Sequence, residues 1–338
     1  MSSVWLVPVV FASAFTLTAL LRRYALSKSL IDVPNDRSSH TIPTPRGGGV
    51  AIVVTFLAAL CLLFMAGIIP SGLFLSALGA GALVAIIGFM DDHGHIAARW
   101  RLLGHFAAAA WALYWLGGLA PLHAFGQVIN LGWPGTALAA FFLVWMLNLY
   151  NFMDGIDGIA GVEAVTVCLG VCVLSVLDNG APLIGAPLLL AVAVAGFLVW
   201  NFPAARIFMG DAGSGFLGLI LGILALEASW LSFQLFWGWL ILLGIFIVDA
   251  TLTLLRRLLR GEKVYEAHRS HAYQFASRRY GKHWPVTMAV GLINLLWLLP
   301  IAVCVARFQL DGATGLILAY APLVFLAFKY QSGRAEQA

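Results

Sequence analysis

Eleven apolar runs, most of them near the roughly 20 residues that a helix needs to cross a bilayer, divide this chain and decide most of what it can become. They cover 5–21, 50–69, 73–90, 102–119, 137–149, 159–177, 183–200, 213–228, 231–255, 286–306 and 313–328. The fifth and eighth are short or glycine-rich, so the count is good to one. Composition agrees: 62% of the 338 residues are hydrophobic and 10% charged, against about 25% charged in a soluble domain. Too few charges remain to cover a water-facing surface, so most of the surface faces lipid. The gaps between runs are mostly short, with no repeat and no soluble domain. The expectation is an all-α, polytopic integral membrane protein, residues 1–338 as one transmembrane domain with about eleven helices. Arg22 and Arg23 follow the first run where a signal peptide would have them precede it, so it reads as a retained helix. Cys61, Cys168, Cys172 and Cys304 all lie inside apolar runs and form no zinc or disulfide pattern.

Net charge is +4, and its distribution says more than its size. When the gaps are assigned alternately to two sides, one side collects Arg22, Arg23, Lys28, Arg37, Arg46, Arg99, Arg101, Arg206, the cluster from Arg256 to Lys282, Lys329 and Arg334. The other collects Arg307. The positive-inside rule makes the rich side cytoplasmic, the N-terminus periplasmic and the C-terminus cytoplasmic. This is a multi-pass protein of the inner (plasma) membrane. Its cytoplasmic loops are 22–49, 91–101, 148–161, 201–215 and 256–285.

Those loops hold the acidic residues that carry chemistry. Asp91 and Asp92 close the third run, where an acid pair opposes the helix dipole and asks for a cation. Hard oxygen ligands suit Mg²⁺ shared with phosphate. Asn148, Asn151, Asp154 and Asp157 recur every three residues, and Gly155 and Gly158 mark a turn. A polar helix cap explains one such residue, not four. Asp211 lies in Phe208-Met209-Gly210-Asp211-Ala212-Gly213-Ser214, ahead of a helix whose first amides suit phosphate. His268, Arg269 and His271 sit in the longest loop, where cations can neutralise a diphosphate; the neighbouring Arg256, Arg257 and Arg260 suit anionic lipid. A fifth segment, from Asp32 through Arg37, His40 and Arg46 to Gly47-Gly48-Gly49, is extended by its prolines and ends in a glycine triplet at a helix mouth.

In this order, the Asp-Asp pair, the Asn-x-x-Asn-x-x-Asp-Gly-x-Asp-Gly run, the Phe-Met-Gly-Asp-x-Gly-Ser turn and the histidine loop resemble the polyprenyl-phosphate N-acetylhexosamine-1-phosphate transferases. The resemblance covers about residues 30–275. It implies exchange of UDP-N-acetylhexosamine with undecaprenyl (polyprenyl) phosphate, releasing UMP, with Mg²⁺ as cofactor and Mn²⁺ as a substitute. By resemblance Asn151 and Asp211 are metal ligands, and Asp91, Asp92 and Asp154 are catalytic. Asp157 and Phe208 contact uridine; Asn201, Arg37, His40, Arg46, His268, Arg269 and His271 complete the substrate contacts. Where many members carry His-x-His-His, this chain has His271-Ala272-Tyr273-Gln274, so the later histidines have no counterpart. The consecutive histidines of the phospho-MurNAc-pentapeptide enzyme are also absent, which points towards O-antigen or other surface-polysaccharide initiation in lipopolysaccharide synthesis.

The chemistry agrees. A phosphate monoester is mostly dianionic at neutral pH, so the obstacle is charge repulsion, which metal and cationic side chains relieve. The choice between direct attack and an aspartyl intermediate stays open, with direct attack favoured. An ion-coupled transporter would hold its carboxylates near the midplane; here only Asp249 fits that description. A noncatalytic scaffold gives no reason for the acidic constellation. No nucleic-acid partner is implied, membrane lipid is, and the donor sugar and the choice between monomer and homodimer stay open.

Overall fold

The structure is a computed structural model that describes residues 3–34, 42–94, 96–178, 183–262 and 269–334. Arg37, His40 and His268 lie outside the described residues. Helix forms at every apolar run, and α11 outside them: α1 (Leu6–Ser27), α2 (Val50–Met65), α3 (Ser71–His93), α4 (Ala98–Leu116), α5 (Gly132–Met153), α6 (Ile159–Leu177), α7 (Gly185–Asn201), α8 (Asp211–Leu231), α9 (Phe233–Leu242), α10 (Gly244–Leu259), α11 (Ala272–Tyr280), α12 (Trp284–Ile293), α13 (Leu299–Phe308) and α14 (Gly312–Lys329). Two short antiparallel ribbons join them, β1 (Ile31–Asp32) with β2 (Thr44–Pro45), and β3 (Leu122–Ala124) with β4 (Gln127–Ile129). Among the described residues, seven helices are long and apolar enough to cross a membrane, or eight if α9 and α10 count as one span. Helices α2 and α7 are apolar but shorter. The protein is all-α and multi-spanning, and its four cysteines are free thiols.

The core is built around α8, in which every residue from Ala212 to Leu226 is buried. Its main neighbours are α3 and α5. In lipid, helices associate through close backbone packing at small residues, and α8 supplies them. A Cβ on Gly218 would fall 2.2 Å from the Met146 carbonyl oxygen of α5. The same packing brings the C-terminal ends of α3 and α5 to the N-terminal end of α8.

Two features depart from the sequence reading. The run 231–255 is not one rod, because α9 and α10 meet at 63°. Tyr320 of α14 explains the break: its ring occupies the space a Cβ on Gly244 would need, 2.7 Å away, and its hydroxyl donates to the Leu240 carbonyl at 2.6 Å. A side chain inserted into the carbonyl ladder is a standard cause of a kink. Second, the polar loop 256–285 contains the short helix α11. Helices α12 and α13 are continuous through a π-turn, Asn294–Leu298. Within that turn Asn294 donates to the Glu163 carboxylate and to the Thr166 hydroxyl of α6, each at 2.8 Å.

Candidate active site

Three helix ends deliver the acidic residues to one place. The end of α3 brings Asp91 and Asp92, the end of α5 brings Asn151 and Asp154, and the start of α8 brings Asp211. Gly210 makes the last of these possible. It has φ +79°, and a Cβ there would lie 2.7 Å from Asp92 Oδ2, so no other residue fits the turn.

Asp92 is buried. Its carboxylate accepts the Asp211 amide at 3.2 Å and the Ala212 amide at 3.3 Å. The Gly213 and Ser214 amides donate to the Gly210 carbonyl, each at 3.1 Å. All four amides of the first turn of α8 are therefore in use. This corrects the expectation that they cradle phosphate: a carboxylate from α3 already holds that place.

Asp91 faces elsewhere. It accepts the Ile96 amide at 2.8 Å and pairs with Arg101 of α4. The same Arg101 nitrogen, Nη1, lies 3.6 Å from Asp211 Oδ2. Asn151 Nδ2 donates to Asp211 Oδ1 at 2.9 Å and to Ser214 Oγ at 3.1 Å, tying α5 to α8. A cavity of about 160 Å³ opens beside these groups, lined by Asp91, Arg101, His105, Asn148, Asn151 and Asp211 among others. Asp154 caps α5 and is half-buried. Desolvation, with the nearby charges of Asp211 and Asp92, pushes its carboxyl well above the usual range.

The row Asn148, Asn151, Asp154, Asp157 does not act as one face. Helix α5 ends at Met153, so Asn148 turns back to the Val144 carbonyl (2.7 Å) while Asp157 lies beyond the turn.

The glycine triplet also finds its reason. Phe208 N–H donates to the Pro45 carbonyl (2.8 Å), Gly48 N–H to Phe208 (2.9 Å) and Gly49 N–H to Met209 (2.8 Å). The 44–49 segment thus runs alongside 207–209, and a Cβ on Gly49 would fall 2.4 Å from Gly213 Cα. Arg46 donates to the Asp92 backbone carbonyl, which fastens this segment to the end of α3.

Asp157, Asn201 and Phe208 form a second group. Asn201 is buried, accepts the Gly158 amide and donates to the Ile207 carbonyl, both at 3.0 Å. Its side-chain amide holds two backbone segments together. His271 lies at the start of α11. It is buried at the N-cap of α11, 3.6 Å from Asp249, with its ring beside Phe152 and Tyr273. Arg269 lies half-buried just before it, its carbonyl accepting from Arg278. Sequence reasoning missed Arg101 and His283. Arg101 had a signal, a cation opening the helix after an acid pair; His283, 3.1 Å from Asp157 Oδ1, had none.

Among the described residues no group of three or more His, Cys, Asp or Glu is arranged to hold a metal ion. The donor set still fits a hard cation, since one positively charged nitrogen already lies between the carboxylates of Asp91 and Asp211. Two carboxylates and an amide leave the remaining positions to water and phosphate, as Mg²⁺ prefers.

Fold and site together define a multi-spanning membrane protein organised around an acidic cleft at one end of its helices. Residues 74–229 match the model for glycosyl transferase family 4, a span that contains Asp91, Asp92, Asn151, Asp154 and Asp211. A probable undecaprenyl-phosphate N-acetylglucosaminyl 1-phosphate transferase of Bacillus subtilis is 28% identical over 268 residues, covering 76% of this chain and 72% of the relative. An undecaprenyl-phosphate alpha-N-acetylglucosaminyl 1-phosphate transferase of Thermotoga maritima is 28% identical over 290 residues, 84% and 85% of the two chains. A phospho-N-acetylmuramoyl-pentapeptide-transferase of Moorella thermoacetica is 34% identical over 241 residues, 65% and 74%. The chain belongs to glycosyl transferase family 4.

Proposed function

We propose that this protein transfers an N-acetylhexosamine-1-phosphate from a UDP-sugar to undecaprenyl or another polyprenyl phosphate, releasing UMP. The observation that carries the reading is the convergence of Asp91, Asp92, Asn151 and Asp211 from three helix ends beside Arg101 and an open cavity. The acceptor dianion and the donor diphosphate repel each other, and a cationic centre at this cleft lowers that barrier. Asp211, Asn151 and Asp91 are the residues that would hold Mg²⁺, which when bound supplies charge neutralisation at phosphate oxygens. Arg101 brings a fixed positive charge to the same cleft. Asp154, with its raised carboxyl, is suited to hold a proton at the acceptor.

The active site faces the cytoplasm of the inner membrane in this proposal, with eleven spans, and the product starts O-antigen or another surface polysaccharide. Peptidoglycan precursor synthesis is the second reading, favoured by the pentapeptide-transferase relative. The missing consecutive histidines weigh against it.

The test is nucleotide release in detergent from a panel of UDP-sugars with polyprenyl phosphate, with Mg²⁺ and with chelator. Mg²⁺-dependent UMP is expected, and because one phosphoanhydride replaces another, labelled UMP returns to UDP-sugar when product lipid is supplied. Release of UDP would overturn the reaction class. UDP-MurNAc-pentapeptide as the preferred donor would select the second reading. Cysteine labelling at Lys282 from the cytoplasm and at Arg307 from the periplasm tests orientation; labelling of both from one side overturns it.

A further inference from the structure

We propose that a cavity between the C-terminal ends of α10 and α14 binds the headgroup of an anionic phospholipid, whose phosphodiester ties the turn after α14 to α10. The cavity shares no lining residue with the acidic cleft.

Its volume is about 430 Å³, and its walls are Arg256, Leu259 and Arg260 at the end of α10 and Phe328, Gln331 and Arg334 at the end of α14. Among the described residues no acid lines it. The Arg256 guanidinium lies 4.1 Å over the Phe328 ring and donates from Nη1 to the Ser332 carbonyl at 2.6 Å. Arg260 donates from Nη1 to the Gly333 carbonyl and from Nε to Glu262, the latter at 2.7 Å. Glu262 also pairs with Arg257, which is buried and stays out of the cavity. One carboxylate thus answers two of these four arginines. Arg334 is exposed, and its guanidinium has no partner among the described residues.

Arginines at a helix C-terminus offset the negative end of its dipole. That role needs only the bonds that Arg256 and Arg260 make to the turn. It gives no reason for a third guanidinium or for the open space between the three. A phosphodiester accounts for both, because its two free oxygens accept guanidinium N–H groups and its charge is opposite to theirs. The apolar walls select a lipid over a soluble phosphate. Leu259 is 88% exposed and Phe328 53%. Both stand at the ends of apolar helices that cross a membrane, α14 alone and α9 with α10 as a bent pair. There they meet acyl chain while the arginines reach the headgroup.

The turn itself connects this cavity to α11. Gly333 has φ +68°, and a Cβ there would lie 2.9 Å from Thr253 Cα, so the turn rests directly on α10. The Gly333 amide donates to the Ser270 carbonyl at 2.6 Å, and Ser332 Oγ donates to Asp249 at 2.9 Å. A headgroup that bridges Arg334 to Arg256 and Arg260 closes the turn from outside and holds the segment that enters α11.

The experiment offers the full-length protein in detergent equal amounts of phosphatidylglycerol and phosphatidylcholine with the same acyl chains, and counts bound lipid by native mass spectrometry. Phosphatidylglycerol should exceed phosphatidylcholine about tenfold on the wild type. Arg334→Glu reverses a charge that makes no contact in the fold, and should abolish the preference. Lys329→Glu makes the same reversal outside the cavity, and should leave the preference within about twofold. Hydrogen exchange over residues 330–334 should slow about tenfold with phosphatidylglycerol in the wild type and stay unchanged in Arg334→Glu. Equal binding of the two lipids, equal loss in both variants, or unchanged wild-type exchange with lipid bound would each overturn the site. So would displacement by millimolar inorganic phosphate at constant ionic strength, which makes the ligand a soluble anion. Displacement by polyprenyl phosphate at the concentration of the phosphatidylglycerol would overturn it as well, in favour of the acceptor lipid.

Discussion

Asp92 and Asp249 do the same local job in two parts of the molecule, and the difference between them separates function from scaffolding. Each is a buried carboxylate at the first amides of another helix. Asp249, on α10, accepts the Ala272 and Tyr273 amides of α11 at 2.9 and 3.2 Å. It also accepts hydroxyls from Thr253 at 3.2 Å and Ser332 at 2.9 Å. Four donors saturate it, which removes it from consideration as a transport-pathway residue. Asp92 accepts two longer amide bonds and lies within the influence of Asp154 and Asp211. A saturated buried acid stabilises; one with two longer bonds beside other acids keeps capacity for a further donor, which the proposed transferase chemistry would use.

The sharpest way to break that comparison is at Asp211 and Asn151. Alanine at either is expected to reduce UMP release about 10³-fold or more while the protein elutes and melts as wild type. Activity retained with unchanged Mg²⁺ response would remove that residue from the metal site. Asp249→Ala is the converse case. Losing a carboxylate with four donors costs about 3 kcal/mol, seen as a lower Tm in detergent. The folded fraction should keep its KM; a selective loss of catalysis would put Asp249 on the functional side. Gly49→Ala should destabilise by about 1–3 kcal/mol through overpacking against Gly213, whereas Gly67→Ala has open space around it and would cost only the backbone strain of its φ of +67°, about 1 kcal/mol.

The smallest effect is at Asp154. Its carboxyl is raised in the folded state, so the unfolded chain releases this proton first as pH rises above 3.8. Stability of the metal-free protein therefore falls across the window between the unfolded and the raised folded value. Asp154→Asn should flatten that dependence and raise Tm near neutrality, read as Tm against pH with chelator present. An unchanged slope would mean that Asp154 does not carry the raised carboxyl.

Much of this was legible in the chain. Apolar length alone located a helix at each of the eleven runs, and an acid pair opposing a helix dipole marked the end of α3. What stayed hidden depended on partners distant in sequence. The bend between α9 and α10 follows from Tyr320, which no local pattern in 231–255 announces. The glycine turn before α8 looked like a phosphate cradle because its occupant, Asp92, lies over 100 residues upstream. Gly155 and Gly158 announced a turn within the run from Asn148 to Asp157, and α5 ends at Met153, just before it. The burial of Asn201 and His271, both assigned by resemblance to substrate, was equally hidden, since it depends on helices far along the chain.

The π-turn at Asn294–Leu298 has a consequence for aligning this chain with its relatives. A π-turn is what a helix forms when it absorbs one residue beyond its regular count without breaking. Trp284–Phe308 therefore contains one position that a regular α-helix of the same span would lack. A relative without the turn is one residue shorter there, and a gap placed elsewhere would shift its first half by a hundred degrees of helix. His283, 3.1 Å from Asp157 Oδ1, would then be matched to the wrong residue, and a shared contact would read as a difference between the two chains. Anchoring the gap on Asn294, the residue bonded to Glu163, keeps the two halves of that helix in register.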